Sequence, residues 1–161
     1  MIDNSKIIYL HGLESTSQSG KARRFAQKYP GMVTPDFTGS LEERMEQLYP
    51  ILGDEKDWTI IGSSFGGLMG TIFTCGHPAQ VRKLILLAPA LLRDHFASHL
   101  NLKPVSVPTA IVHGTEDDIV PLEPVRELAE GLFTNLTYYV VNDGHRLHKA
   151  LEELDWDEIL K

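Results

Sequence analysis

The sequence has one cysteine, Cys75, so no internal disulfide can form. A lone cysteine fits a reducing compartment. It has no run of Lys or Arg longer than Arg23-Arg24, and its formal net charge is -7. Nucleic acid and anionic membrane surfaces are therefore poor partners. Long apolar stretches are absent too. The longest, residues 84–92, is too short to span a bilayer and contains Pro89. Residues 1–6 carry no basic segment ahead of an apolar stretch of signal-peptide type, and the expected location is the cytoplasm. No His, Cys and Asp cluster has metal-ligand spacing, so neither a metal nor a cofactor is expected. What remains is 161 residues, 42% hydrophobic and 23% charged. That suffices for one domain, 1–161, with a full core.

Six short segments are rich in β-branched and large apolar residues: 6–10, 32–34, 58–61, 84–87, 110–113 and 138–141. Most are continuous apolar runs, as expected of strands covered on both faces in a parallel sheet. Helical spacing lies between them. Leu41, Met45, Leu48 and Leu52 form one stripe, and Val125, Leu128, Ala129 and Leu132 another. Leu147, Leu151 and Leu154 mark a C-terminal helix. The alternation predicts repeated βα units in an open sheet, with no linker or repeat dividing the chain.

Open parallel sheets bind ligands beyond the carboxyl ends of their strands. Polar and glycine-rich residues cluster there. His11-Gly12-Leu13-Glu14 follows the first segment, and Gly62-Ser63-Ser64-Phe65-Gly66-Gly67 the third. Ala88-Pro89 follows the fourth, His113-Gly114-Thr115-Glu116-Asp117 the fifth, and Asn142-Asp143-Gly144-His145 the sixth. Ser64 sits in Gly-x-Ser-x-Gly between a strand and a helix, the context in which this pattern exposes a nucleophilic serine. Small residues are needed two positions either side, and Gly62 and Gly66 supply them. Ser63 would be flanked by Ile61 and Phe65, which are too large. A tight turn with an incidental serine is the bland alternative.

A nucleophilic serine needs a base and an acid later in the chain. Of seven histidines, His145 alone combines a strand-end loop with that order. His11 and His113 each end a strand before a glycine, where shaping the loop is the commoner role. For the acid, position leaves Asp117, Glu116 and Asp118 open. Asp143 is a weaker rival, because it precedes His145 by only two residues. Two backbone amides should form an oxyanion hole, those of Phe65 and of Leu13 in the loop after the first strand. Ser19-Gly20-Lys21 does not complete a phosphate-binding loop, because Ser15 and Ala22 stand where Gly and Ser or Thr are required.

Taken together, His11-Gly12, the Ser64 motif, Leu87-Ala88-Pro89, His113-Gly114-x-x-Asp117 with Val120-Pro121, and Gly144-His145 resemble the α/β-hydrolases in family order. The resemblance implies six parallel strands flanked by helices on both faces, with the second strand at one edge and the sixth at the other. It also implies that Asp117 is the acid, raising it above its rivals. The stretch 9–15 with Ser19 to Ala22 further resembles small bacterial esterases of the YqiA type. Larger members insert a lid where this chain has only residues 90–107, whose Leu92, Phe96 and Leu100 form a helical stripe. The expected activity is hydrolysis of a small carboxylic ester or thioester through an acyl-enzyme. A non-catalytic binding protein on the same fold, and a peptidase or amidase with the same residues, are the rival readings.

Overall fold

The computed structural model describes residues 2–92, 94 and 102–161. Among these, five strands form one parallel sheet: β1 (Ile7–Leu10), β2 (Trp58–Ser63), β3 (Val81–Leu87), β4 (Thr109–Gly114) and β5 (Leu136–Val141). Their order in the sheet is their order in the chain. Every residue of β1, β2 and β4 is buried, which accounts for their unbroken apolar runs. β5, at one edge, is only half-buried.

Among the described residues, six α-helices divide between two faces. α2 (Leu41–Leu52), α3 (Phe65–Gly76) and α4 (Leu122–Leu132) pack with Ile8, Ile60, Leu84 and Ile111. α1 (Gly20–Lys28), α5 (His148–Glu153) and α6 (Trp156–Leu160) pack with Ile7, Ile61, Ile85 and Val112. The two sets alternate along each strand, as a pleated sheet requires. Both expected stripes face inward: Met45, Leu48 and Leu52 on α2, and Val125, Ala129 and Leu132 on α4, are buried.

The strand expected at 32–34 is reduced to one parallel bridge between Val33 and Ile8, at the edge where it was expected. Val33 donates to the Ile7 carbonyl at 2.8 Å and accepts from the Tyr9 amide at 2.9 Å. Pro30 and Pro35 close in on it from both sides, and proline has no N–H to extend a ladder. Gly31, at φ 94°, turns the chain immediately before it. The single C-terminal helix is likewise two short ones. Leu154 is extended between them, and Asp155 caps α6 through the Glu158 amide. Of the stripe Leu92, Phe96 and Leu100, the last two lie outside the described residues, while Leu92 packs on the core.

From β1 the chain runs outward along α1 to the Val33 edge, then returns across β1 along α2 to β2. The helices that leave the carboxyl ends of β1 and β2, α1 and α3, lie on opposite faces, the arrangement beside which open parallel sheets bind ligands. Phe25 anchors the α1 face, 2% exposed and edge-on to Trp156 of α6 at 5.1 Å. Phe25→Ala is expected to cost about 3–5 kcal/mol, measurable as a lowered urea midpoint. A loss under about 1 kcal/mol would show that α6 does not depend on this contact.

Candidate active site

Ser64 joins β2 to α3 with nothing in between, at φ 53° and ψ -113°. A non-glycine residue with positive φ holds strain of about 1–3 kcal/mol, so its surroundings must fix it. They do so through the peptide groups. The Ser64 amide donates to Leu87 at 2.9 Å, and its carbonyl accepts from Gly67 at 3.0 Å and Ala90 at 2.9 Å. Two close approaches complete the turn. A Cβ on Gly62 would lie 2.5 Å from the Gly66 carbonyl oxygen, and one on Gly66 only 2.0 Å from that of Leu10. Glycine at 66 therefore lets α3 press onto the end of β1. The loop after β1 thereby lies beside the serine, with Gly12 against the Ser64 Cβ.

That loop is braced rather than mobile in its bonding. His11, 1% exposed, accepts the Phe37 amide on Nε2 at 2.9 Å. Its Nδ1 therefore carries the proton and donates to the Gly12 carbonyl at 2.7 Å. His11 shapes the loop and takes no part in a proton relay. Leu13, the expected oxyanion donor, follows with its side chain 54% exposed. Phe65, the other donor, opens α3, where the helix dipole concentrates positive charge.

Asp117 and His145 come together from the loops after β4 and β5. Those loops are sewn to each other. Thr115 donates to Val141 at 2.8 Å, Glu116 to Asp143 at 3.0 Å, and a Cβ on Gly114 would strike the Asp143 carbonyl. The Asp117 side chain is fully buried, and its Oδ2 lies 2.7 Å from His145 Nδ1. Its Oδ1 accepts the Ile119 and Val120 amides at 2.9 and 2.8 Å. Burial pushes this carboxyl up, but the bonds from Val120, His145 and Ile119 outweigh it and hold the carboxyl below its usual value. Asp117 is thus kept ionised against an imidazole whose side chain is 20% exposed.

The rivals are occupied elsewhere. Glu116 and Asp118 point to solvent. Asp143 is buried and accepts the Gly144, Lys149 and Ala150 amides, which fixes the start of α5. His113 is fully buried, and burial lowers its pKa. Its Nε2 donates to the Val120 carbonyl at 2.9 Å and lies 3.3 Å from Asp117 Oδ2, so it steadies that carboxylate. Among the described residues no hydrogen bond joins His145 Nε2 to the Ser64 hydroxyl. Such bonds commonly tighten only when substrate binds.

Two cations near Ser64, the half-buried Lys21 and the buried Arg44, have no functional counterpart in the sequence reading. Lys21 of α1 donates to the Ser63 hydroxyl at 3.2 Å, and the buried Tyr9 hydroxyl, pushed up to about 12 by burial, bonds to Ser63 and Ser19. Burial, aided by Arg146, pushes the Lys21 ammonium down to about 8 against the pull of Asp117 and Asp143. Arg44 of α2 reaches the Leu13 carbonyl at 3.2 Å. Neither carries a local signal. Lys21 was legible only as part of a failed phosphate loop, and Arg44 as one polar position on an amphipathic helix.

Gly66→Ala is expected to destabilise the fold by about 3 kcal/mol, at the upper end of overpacking costs. Gly20→Ala, where a Cβ meets nothing within 4 Å, should be neutral or stabilising. Urea unfolding of the pair tests the approach of α3 to β1, and equal midpoints would contradict it.

The Lys21 charge gives a pH test. Its folded value, about 8, lies below the ordinary 10.5, so between them the folded state binds fewer protons. Stability from this group therefore rises with pH across that window, by at most about 1.4 kcal/mol per unit. Lys21→Met should outlast the wild type in urea near about pH 7 and lose that advantage by about pH 10. An advantage that did not change with pH would contradict the burial of the charge.

Solved structures share this architecture. Alpha/beta hydrolase domain-containing protein 10 from mouse superposes with a TM-score of 0.72 at 19% identity, over 90% of this chain and 84% of that one. An alpha-beta serine hydrolase homologue from Coxiella burnetii gives 0.73 at 20%, over 99% and 85%. The Paleococcus ferrophilus monoacylglycerol lipase gives 0.68 at 17%, over 91% and 92%. At these identities the likeness is one of fold. No curated protein matches the chain in sequence. The phospholipase/carboxylesterase family matches residues 33–153, well over half of the sequence. The chain therefore belongs to the phospholipase/carboxylesterase family of α/β-hydrolases.

Proposed function

We propose that this chain is a serine esterase or thioesterase acting on small acyl substrates, with Ser64 as nucleophile, His145 as base and Asp117 as its orienting acid. The observation that carries this reading is the 2.7 Å bond from His145 Nδ1 to a fully buried Asp117, at the same sheet end as the Ser64 turn. That bond fixes the tautomer that leaves Nε2 unprotonated, as a base must be.

The Ser64 hydroxyl attacks the substrate carbonyl carbon as its proton passes to His145 Nε2. The carbonyl electron pair moves onto oxygen, and the Leu13 and Phe65 amides stabilise the resulting charge. The intermediate collapses to an acyl-serine. The leaving alkoxide or thiolate departs with the proton from His145. Water, deprotonated by His145, attacks the acyl-serine in turn and releases the acid. Asp117 stays ionised throughout and stabilises the imidazolium.

Ester chemistry is preferred over amide chemistry because the family's description is phospholipase/carboxylesterase. Cys75 is no competing nucleophile, since burial pushes its thiol up to about 11. Exposed Leu13 and Ile119 rim the strand ends and offer apolar contact to an acyl chain. Among the described residues no helix is long and apolar enough to cross a membrane. The lone cysteine supports a cytoplasmic location.

Ser64→Ala should lower turnover of short p-nitrophenyl esters by on the order of 10⁴-fold or more while leaving the urea midpoint near wild type. It should also abolish labelling by a fluorophosphonate. Undiminished turnover would remove Ser64 from the mechanism, and a wild type that takes no label would favour a binding protein. A panel of esters, thioesters and aminopeptide substrates separates the esterase from the peptidase.

A further inference from the structure

Arg44 is a charged side chain in a place that does not neutralise it. It projects from the second turn of α2, behind the capping box of Ser40 and Glu43. It is only 5% exposed. Its Nε donates to the Gly39 carbonyl at 2.9 Å and its Nη2 to the Leu13 carbonyl at 3.2 Å. The guanidinium lies over the Phe65 ring, 5.4 Å from the ring centre. Among the described residues no carboxylate pairs with it, and its buried Nη1 has no acceptor. Burying a guanidinium without an anion is unfavourable, and replacing such a group by an apolar one often stabilises a fold. A requirement of fold stability does not explain its presence.

Its contacts supply another reason. Leu13 and Phe65 are the two residues whose amides the mechanism above places on the oxyanion, and Arg44 touches both. The Leu13 side chain is exposed, so packing does little to hold that peptide. The loop depends on its hydrogen bonds. His11 and the Ser15 amide hold the Gly12 carbonyl, and Arg44 holds the next one. Arg44 also ties the loop to Gly39. That segment is itself fixed to α2 by paired bonds between Gln47 and Thr38, and to His11 through the Phe37 amide. The Gly12 carbonyl shares its peptide plane with the Leu13 amide, so His11 and Ser15 hold one side of Leu13 and Arg44, from α2, the other.

We propose that Arg44 is a positioning residue for the oxyanion hole. It fixes the peptide that follows Leu13, next to the one that carries the Leu13 amide, and places an unneutralised positive charge against the Leu13 carbonyl and the Phe65 ring, on the two residues whose amides receive the developing negative charge. An anion-stabilising charge kept out of water acts more strongly than one in solvent, and here it needs no rearrangement at the moment of reaction. The inference rests on the esterase reading and adds to it the residue that holds the site in working geometry.

The test uses the full chain, with p-nitrophenyl butyrate as substrate and an alkyl trifluoromethyl ketone as oxyanion mimic. The ketone's carbonyl carbon bonds to the serine oxygen, and its own oxygen becomes the oxyanion. Arg44→Met should lower kcat about 10- to 100-fold with KM changed less than about threefold. The ketone's affinity should fall by a similar factor. Its urea midpoint should equal or exceed that of the wild type. Arg44→Lys, which keeps the charge but not the planar two-point hold, should recover part of kcat. Wild-type kcat per fluorophosphonate-labelled site in Arg44→Met, whatever its stability, would overturn the proposal and leave a structural tie. Should Arg44→Met not fold, Arg44→Lys decides: reduced kcat with a near-wild-type midpoint supports the role, and full kcat removes it. Absence of Ser64-dependent turnover in the wild type would instead overturn the esterase reading, and this inference with it.

Discussion

The approach of α3 to the end of β1, possible only because residue 66 has no side chain, sets where Ser64, the start of α3 and the loop after β1 meet. Gly66 sits so close to the Leu10 carbonyl that a single added carbon would overlap it. That contact brings the first turn of α3 against the strand next to its own. The dipole end of α3, the loop after β1 and Ser64 then meet at one point. Gly62 permits the chain to reverse so sharply, and the carbonyl and amide of Ser64 are tied to Gly67, Ala90 and Leu87 so that the strained conformation persists. A turn this tight presents the serine side chain because its backbone has no freedom to withdraw it.

Asp117 and His145, the proposed acid and base, are held by a different device, a direct stitching of two loops. Glu116 and Thr115 donate into the β5 side, and Gly114 allows the loops to touch. Asp117 is consequently enclosed and must be satisfied by donors. The Ile119 and Val120 amides take one oxygen, and His145, with His113 alongside, the other. A carboxylate so provided stays ionised in spite of its burial. Asp143 shows the same physics used for another end. Its three amide donors make it the anchor of α5, the helix that follows the His145 loop.

What could be inferred from the residues alone follows from how local its cause is. The Ser64 turn was legible because glycines two positions away express a steric limit acting over five residues. The helix stripes at Leu48 and Val125 were legible because burial repeats along one element. Residues 32–34 were overestimated. Their apolar character suggested a strand, but the two prolines around them restrict the ladder to a single bridge. The C-terminal helix was drawn as one because Leu147, Leu151 and Leu154 share a spacing, whereas the Asp155 cap that breaks it acts through one side-chain bond. The choice of Asp117 over Glu116 and Asp118 depended on resemblance, since only the pairing of two distant loops separates these neighbours. Lys21 and Arg44 carried no sequence signal of a place in the site. Their burial arises when α1 and α2 cross opposite faces of the sheet, and no stretch of sequence encodes a crossing.

Those two cations bear on how an acidic chain would stabilise an anion at the proposed site. The formal charge is -7, which by itself would repel a developing oxyanion. Long-range charge is screened by water and salt, whereas a charge a few ångströms away in a dry environment is not. Lys21 behind Ser63 and Arg44 over Phe65 place positive charge on opposite faces of the turn, and among the described residues neither has a carboxylate at ion-pair distance. Partners would have cancelled the field at the point where it acts. The fold therefore keeps two unfavourable features side by side, a strained serine and unneutralised buried charge. Each is tolerated because the glycine contact, the capped helices and the two apolar layers over-determine the surrounding backbone.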